Sequence, residues 1–371
     1  MNVYATENIR NVVLLGHGGC GKTSLIESMA FTTGIIKRVR TVAEGGTVSD
    51  YDKEEIKRKF SIQSSVIPLE VDNVKVNLLD TPGLFDFSGE VYEALSVADA
   101  AVIVINGKSG VEVGTRRSFD FCAKKGIPVI VYITCVEDEH VDASAIVDEL
   151  RESYGNKIVP FHMPMKEGSV FKGFINAVKM LECRLQPNGS YDEVVVEEGE
   201  NDELDDYRMQ LMEGVAETSE DLMEKFFAEE PFTEEEIKNA IIGSVARRDL
   251  MPVICGAINT DYGANILLND MVKYFSAPGM VNDQFTGTKV KTGEPVTATY
   301  DVSQPVSAYV FKTIADPFVG RFSLVKVTDG ILKPDTAIYN GNKDTEERIG
   351  KLYVLRGKEQ FEVNALYAGD I

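Results

Sequence analysis

Histidine and cysteine are scarce in this chain of 371 residues: three of one and five of the other. The cysteines (Cys20, Cys122, Cys135, Cys183 and Cys255) include no C-x-x-C pair. So few imidazoles, with no paired thiols, argue against a zinc centre, and an odd number of isolated cysteines argues against a disulfide framework. Free thiols in a reducing cytosol are the natural expectation. No apolar run approaches the roughly 18 residues of a membrane-spanning helix. Met1 to Arg10 is polar and mixed in charge, without the apolar core of a signal peptide. Positive charge is also short, since 38 Lys and Arg face 59 Asp and Glu for a formal net charge of −21. A surface of that sign does not by itself attract nucleic acid, so neither DNA nor a membrane is expected as a partner. Internal repeats and low-complexity tracts are missing as well.

The hydrophobic share of 44% is ordinary for a chain with a sizeable core, and the length suggests two or three domains. The most informative stretch is Asn11 to Ser24, NVVLLGHGGCGKTS. Asn11 to Leu15 reads as a buried parallel strand. Gly16-His17-Gly18-Gly19-Cys20-Gly21-Lys22-Thr23 fits G-x-x-x-x-G-K-S/T, with Ser24 following and helical spacing from Leu25. Strand, glycine loop and helix together make a phosphate-binding loop, or P-loop. Its N–H groups curl around a phosphate, Lys22 adds a point charge, and the Thr23 hydroxyl is placed for Mg²⁺.

Strand patterns at Asn11–Leu15, Val66–Val71, Val74–Leu79, Ala100–Asn106 and Pro128–Thr134 alternate with helical patterns at Lys22–Ala30, Gly89–Val97, Gly114–Lys125 and Ala143–Ser153. That rhythm predicts a mostly parallel, doubly wound α/β sheet. One more buried strand, Met251–Cys255, and a helix over Ala264–Phe275 come after a long interval. An acidic inserted subdomain is therefore expected at about 154–250, with helices over Asp205–Glu229 and Thr233–Arg247. Its run from Glu197 to Asp206 is either a solvated face or a dock for a basic partner. Beyond Ser276-Ala277-Pro278-Gly279 the pattern changes to short strands at Val306–Thr313, Gly320–Asp329, Ala337–Tyr339 and Glu347–Leu355. These predict a small antiparallel β-barrel over 281–371, after a nucleotide-binding domain over 1–280. A strand is starting at Gly369-Asp370-Ile371, so the barrel is expected to be incomplete at its C-terminus.

A second nucleotide signal is Asp80-Thr81-Pro82-Gly83, at the end of the third strand. In P-loop GTPases this D-x-x-G turn carries an Asp that reaches Mg²⁺ and a Gly that senses the γ-phosphate. Around it the chain resembles elongation factor G, in particular its divergent bacterial paralogues. The likeness rests on Asn8-Ile9-Arg10-Asn11 before the P-loop, and on Asp86-Phe87 and Glu90-Val91 after the D-x-x-G. Ala98-Asp99-Ala100-Ala101 with Gly110-Val111 adds to it. Asp316-Pro317-Phe318-Val319-Gly320-Arg321 and Gly330-Ile331-Leu332 resemble that family's second, β-barrel domain. The resemblance implies a P-loop GTPase domain followed by a barrel, with GTP or GDP and Mg²⁺ as cofactors. It also implies a cytoplasmic monomer whose full-length form works on ribosomal RNA and ribosomal proteins. Lys22 and Gly83 would take the catalytic roles, with Thr23, Ser61 and Asp80 at the metal.

Several positions depart from the family. Arg58-Lys59-Phe60-Ser61-Ile62 aligns with R-G-I-T-I, so Ser61 is either a Mg²⁺ ligand in place of Thr or a plain strand serine. Leu84 stands where the family has the His that positions the attacking water, and it has no hydrogen-bonding group. Thr134-Cys135-Val136-Glu137 replaces the N-K-x-D that reads guanine; Glu137 could still accept from the base, or Asp138 could after a one-residue slip. Gly256-Ala257-Ile258 occupies the last base-contacting loop, and Gly18-Gly19-Cys20 replaces V-D-A within the P-loop. Three readings stay open: a ribosome-dependent GTPase, a pseudo-GTPase that binds without efficient hydrolysis, and a P-loop ATPase with relaxed base choice.

Overall fold

The computed structural model describes residues 3–186, 190–257, 261–280, 285–290, 292–316 and 320–371. Its first part alternates as the hydrophobic periodicity requires: β1 (Ile9–Leu15), α1 (Lys22–Thr32), α2 (Lys53–Arg58), β2 (Ser65–Val71), β3 (Val74–Asp80), α3 (Ser88–Val97), β4 (Ala100–Asn106), α4 (Val113–Lys125), β5 (Val129–Thr134) and α5 (Ala143–Tyr154). The middle contributes β6 (Ile158–Glu167), β7 (Val170–Asn176), β8 (Leu181–Leu185), β9 (Tyr191–Val195), α6 (Asp202–Ala216), α7 (Glu220–Phe227) and α8 (Glu234–Arg247), before β10 (Met251–Cys255) and α9 (Asp261–Tyr274).

These strands form one ten-stranded sheet in the order β2-β3-β1-β4-β5-β10-β6-β7-β8-β9. From β3 to β6 the pairs are parallel, while β2 and β7 to β9 add antiparallel edges. The sheet is thus more mixed than the alternation implied. The insert does not stand apart either, because β6 docks beside β10 in parallel and carries the sheet onward. Val102, Ile103 and Val104 of β4 and Val129 to Val131 of β5 have no solvent exposure. Strands buried on both faces read as unbroken apolar runs, which is why sequence placed them well. The turns after β1, β3, β5 and β10 all leave the carboxyl ends of parallel strands, the rim on which open α/β sheets hold ligands.

Two elements divide where longer ones were expected. The helix expected over Asp205–Glu229 is two, because Ser219 accepts from the Leu222 N–H and starts α7 afresh. The strand expected over Glu347–Leu355 is split at Ile349-Gly350-Lys351.

The C-terminal part holds β11 (Thr286–Thr288), β12 (Pro295–Thr297), β13 (Ser307–Asp316), β14 (Gly320–Asp329), β15 (Ile331–Leu332), β16 (Ala337–Asn340), β17 (Thr345–Arg348), β18 (Leu352–Arg356), β19 (Glu359–Val363) and β20 (Leu366–Tyr367). Every pair there is antiparallel. Val327, Leu332, Leu352, Val354, Val363 and Leu366 form its core. The quoted Pro317, Phe318 and Val319 lie outside the described residues.

This small domain is pinned to the large one by buried polar groups. Lys75 on β3 donates to Asp370 at 2.7 and 2.9 Å, and Asn77 reaches the same carboxylate at 3.1 Å. Asn11 joins Asn77 to Asp99, which pairs with Lys326 of β14 at 2.5 Å. Removing one member of such a pair leaves an uncompensated buried charge, at a cost of about 3–5 kcal/mol. The network therefore penalises any separation of the two parts that breaks these pairs.

Candidate functional site

The P-loop begins where β1 runs out of apolar residues. Gly16 has φ 145°, and a Cβ there would fall 2.7 Å from Cys20 Sγ, so only glycine fits the turn. Lys22 is folded back over the loop, its Nζ donating to the carbonyls of Gly16 and His17 at 3.1 Å each. The loop, from Gly18 through Gly19 and Gly21, then feeds α1, whose first turn points unsatisfied N–H groups outward. Burial raises the Cys20 thiol above its ordinary value. Cys20 is 1% exposed, so it acts as a small filler beneath the loop rather than as a nucleophile. The His17 side chain turns away to α4: its Nε2 lies 3.5 Å from Glu112, and the ring meets Phe85 edge-on. Only its backbone belongs to the loop.

Hard oxygen donors converge beside Lys22. Thr23 Oγ1 donates to Asp80 Oδ2 at 3.0 Å and lies 3.2 Å from Ser61 Oγ. Ser61 therefore sits with the candidate metal ligands, although it precedes β2 by sequence. Burial raises the Asp80 carboxyl, opposed mainly by Lys22. Asp50 is a fourth member that sequence reasoning missed. It is 5% exposed and pushed up to about 7 by burial and by the Asp80 charge. Asp80 Oδ1 and Asp50 Oδ2 are both buried without a hydrogen-bond partner. Orphaned carboxylate oxygens next to two hydroxyls suit Mg²⁺, which binds through few carboxylates together with substrate phosphates. Among the described residues no group of three or more His, Cys, Asp or Glu could hold a metal alone, and this chemistry needs none. No motif marks Asp50; folding alone brings it to Asp80.

Gly83 packs directly on the P-loop, where a Cβ would come 2.7 Å from both Lys22 Nζ and the Gly18 Cα. Leu84 follows at 38% exposure, and its Cδ2 would lie 3.1 Å from a Cβ on Gly18. The position that would orient water is thus an apolar side chain lying over the loop. Behind it Arg117 stacks on Phe85 at 4.6 Å.

The opposite end of the site lies between β5 and β10. Gly21, Ser24, Tyr132, Thr134, Gly256 and Ala257 line a cleft of about 300 Å³ there. Thr134 lines the cleft, but its single hydroxyl proton is shared between the Cys20 carbonyl at 3.1 Å and the Ile105 carbonyl at 3.3 Å, so the hydroxyl braces the P-loop against the sheet. Cys135 adopts φ 63°, and its thiol is raised by burial. Asp138 is held by Lys108 at 2.5 Å and accepts from the His140 N–H at 3.0 Å. Lys108 is the main reason that its carboxyl lies well below the usual range. Glu137 Oε2, by contrast, is buried and has no partner. Of the two acidic candidates, Glu137 keeps a buried unpartnered oxygen, although it is not among the residues lining the cleft, and Asp138 is paired with Lys108. Ile258 lies outside the described residues.

The elongation factor Tu GTP binding domain model matches residues 7–277, and the elongation factor G domain 2 model matches residues 305–371. This chain belongs to the elongation factor G-like translational GTPases. A crystal structure of a Thermus thermophilus protein is similar at 32% identity with a TM-score of 0.83, covering 98% of this chain and 52% of that one. The chain thus spans about half the length of that relative. Among translational GTPases the departures here divide by role. The glycine loop keeps its tight backbone turn, whereas the expected departures at positions 84 and 134 to 137 lie on side chains.

Proposed function

We propose that this chain is the nucleotide-binding part of an elongation factor G-like factor. It binds Mg²⁺ with GTP or GDP and acts in the cytoplasm on ribosomal RNA and ribosomal proteins, in a translocation-type step. The supporting observation is the convergence of Lys22, Thr23, Ser61, Asp80 and Gly83 on one point at the carboxyl rim of the sheet. In this reading the N–H groups of Gly18 to Thr23 cradle the phosphates and Lys22 turns its charge toward them. Thr23, Ser61 and Asp80 hold the cation, which neutralises phosphate charge. Ser24, Thr134, Cys135, Glu137, Gly256 and Ala257 surround the nucleoside, with Glu137 Oε2 as the acceptor for a base that offers donors on its edge. Guanine offers N1–H and the N2 amine there, and adenine offers an acceptor at N1. In solution the chain is a monomer.

Hydrolysis is weak or depends on the ribosome. Leu84 can neither donate to nor accept from water, so a ribosomal group must orient it. A second reading, a pseudo-GTPase that switches by binding alone, is favoured by the contact of Leu84 with the P-loop.

Titration of the chain with fluorescent GTP, GDP and ATP analogues in Mg²⁺ tests both readings. A guanine preference below about threefold, under 1 kcal/mol, removes the guanine assignment. Turnover by the full-length protein on ribosomes at the rate of an ordinary elongation factor removes the pseudo-GTPase reading.

A further inference from the structure

Glu90 lies in the first turn of α3, the helix that follows the Asp80–Gly83 turn. Its Oε2 accepts from the Ser64 N–H at 2.6 Å and from the Ser64 hydroxyl at 3.0 Å. Ser64 closes the short segment between Ser61 and β2. The same oxygen pairs with Lys312 Nζ, which comes from β13 of the barrel domain. Lys312 also donates to the Ser64 carbonyl at 3.0 Å and contacts its hydroxyl at 3.1 Å. The three residues thus form a closed triangle. The Lys312 side chain is 5% exposed and that of Glu90 24%, so this is not a surface ion pair.

The barrel is built to deliver that lysine. Along β13 the pairing with β14 shifts register between Val310 and Lys312, leaving Phe311 as the extra residue of a bulge. Alternation would send Phe311 and Lys312 to opposite faces, yet both are buried. Bulges of this kind re-aim a side chain at the cost of one ladder position. Here the Lys312 ammonium crosses the domain boundary to Glu90.

Two segments that would report a terminal phosphate therefore meet at one carboxylate. Ser61 leads into Ser64, and Gly83 leads into Glu90. A buried lysine is tolerated only while both partners stay in place, so the triangle favours one joint arrangement of the two segments. We propose that Glu90 and Lys312 are positioning residues for the terminal-phosphate side of the nucleotide site, and that the barrel domain thereby takes part in distinguishing GTP from GDP. The inference rests on the nucleotide-binding reading above. Neither residue touches the nucleotide; both act through Ser61 and Gly83.

The test compares Lys312→Met with Lys326→Met in the 371-residue chain, measuring affinity for fluorescent GTPγS and GDP in Mg²⁺. Lys326 is also a buried barrel lysine, but it meets the Val97 carbonyl and Asp99 at the opposite, C-terminal end of α3, away from Ser64 and the first turn that carries Glu90. Lys312→Met is expected to weaken GTPγS about tenfold and GDP less than about twofold, as loss of a coupled buried pair should. Lys326→Met is expected to lower the melting temperature without moving the ratio, and Lys312→Arg to restore most of it. Glu90→Gln keeps an acceptor for Ser64 and removes the charge facing Lys312, so it supplies the same ratio should Lys312→Met fail to fold. Equal ratios in all variants and wild type, or equal shifts in the two lysine variants, overturn the inference alone. A wild-type chain that binds neither nucleotide overturns the nucleotide reading and the inference together.

Discussion

Thr134 Oγ1 donates to the carbonyl of Cys20 across 3.1 Å, tying the β5 turn to the P-loop. Thr134 is thereby a brace, buried at 3% exposure. Losing a buried hydrogen bond and leaving a carbonyl short of its donor costs about 1–3 kcal/mol. Thr134→Val keeps the shape and removes the donor, so its unfolding free energy should fall by that amount in urea titration. Every nucleotide should bind more weakly, because the brace aligns both halves of the cleft. Unchanged stability would show that the hydroxyl is dispensable.

Glu137 and Asp138 are neighbours with opposite commitments. Glu137 Oε2 is buried and unpartnered, whereas Asp138 is held by Lys108. Glu137→Gln replaces an acceptor with a mixed donor and acceptor, and should cut guanine preference by about tenfold, the worth of one good hydrogen bond to a charged group. Asp138→Asn should leave the preference unchanged. Competition between GDP and ADP for a fluorescent nucleotide measures both, and a loss in the Asp138 variant alone would reverse the assignment.

The contrast between those two residues shows how far the sequence was legible. The strands from β1 to β5 and β10 were placed within a residue or two, because segments buried on both faces write themselves as apolar runs. The glycine turns after β1 and β3 were legible because tight backbone approaches impose glycine at fixed spacing. Pairings between distant side chains left no such trace. Nothing local to Asp138 announces Lys108, nothing beside Asp50 announces Asp80, and the continuation of the sheet through β6 to β9 depends on the parallel docking of β6 against β10. The end of α6 was misplaced for a smaller reason, since Ser219 competes locally for the backbone and starts a new helix.

Leu84 lies over Gly18 and offers water no hydrogen-bonding group. Positioning of the attacking water is a large part of the catalysis of phosphoryl transfer, so restoring a hydrogen-bonding side chain should be visible in rate. Leu84→His in the full-length protein is expected to raise ribosome-stimulated GTP turnover by about tenfold or more. Binding of GDP should stay within about twofold, because position 84 follows Gly83, the residue that would report a terminal phosphate, and GDP lacks that phosphate. Single-turnover phosphate release gives the rate. No gain on ribosomes would mean that the loss at position 84 is not what limits this site.

Asp50 gives the metal corner a pH signature. Its carboxyl is pushed up to about 7 in the folded chain, against 3.8 for the ordinary group, first by burial and then by the Asp80 charge. A folded-state value above the unfolded one means that the folded chain holds the proton more tightly. The stabilisation from that proton is complete below pH 3.8 and is lost as pH rises to about 7, beyond which the loss is constant. Asp50→Asn removes the titration, so its advantage over wild type should be smallest in acid, widen towards neutrality and then level off. Urea unfolding of both chains at a series of pH values, without divalent cations, reads this difference directly and cancels contributions from the other acidic groups. Mg²⁺ with nucleotide should stabilise the wild type more than the variant at about pH 8, because only the wild type brings an ionised Asp50 to the cation. A gap that stays flat across the range would mean that Asp50 does not titrate there and that its place beside Asp80 is structural.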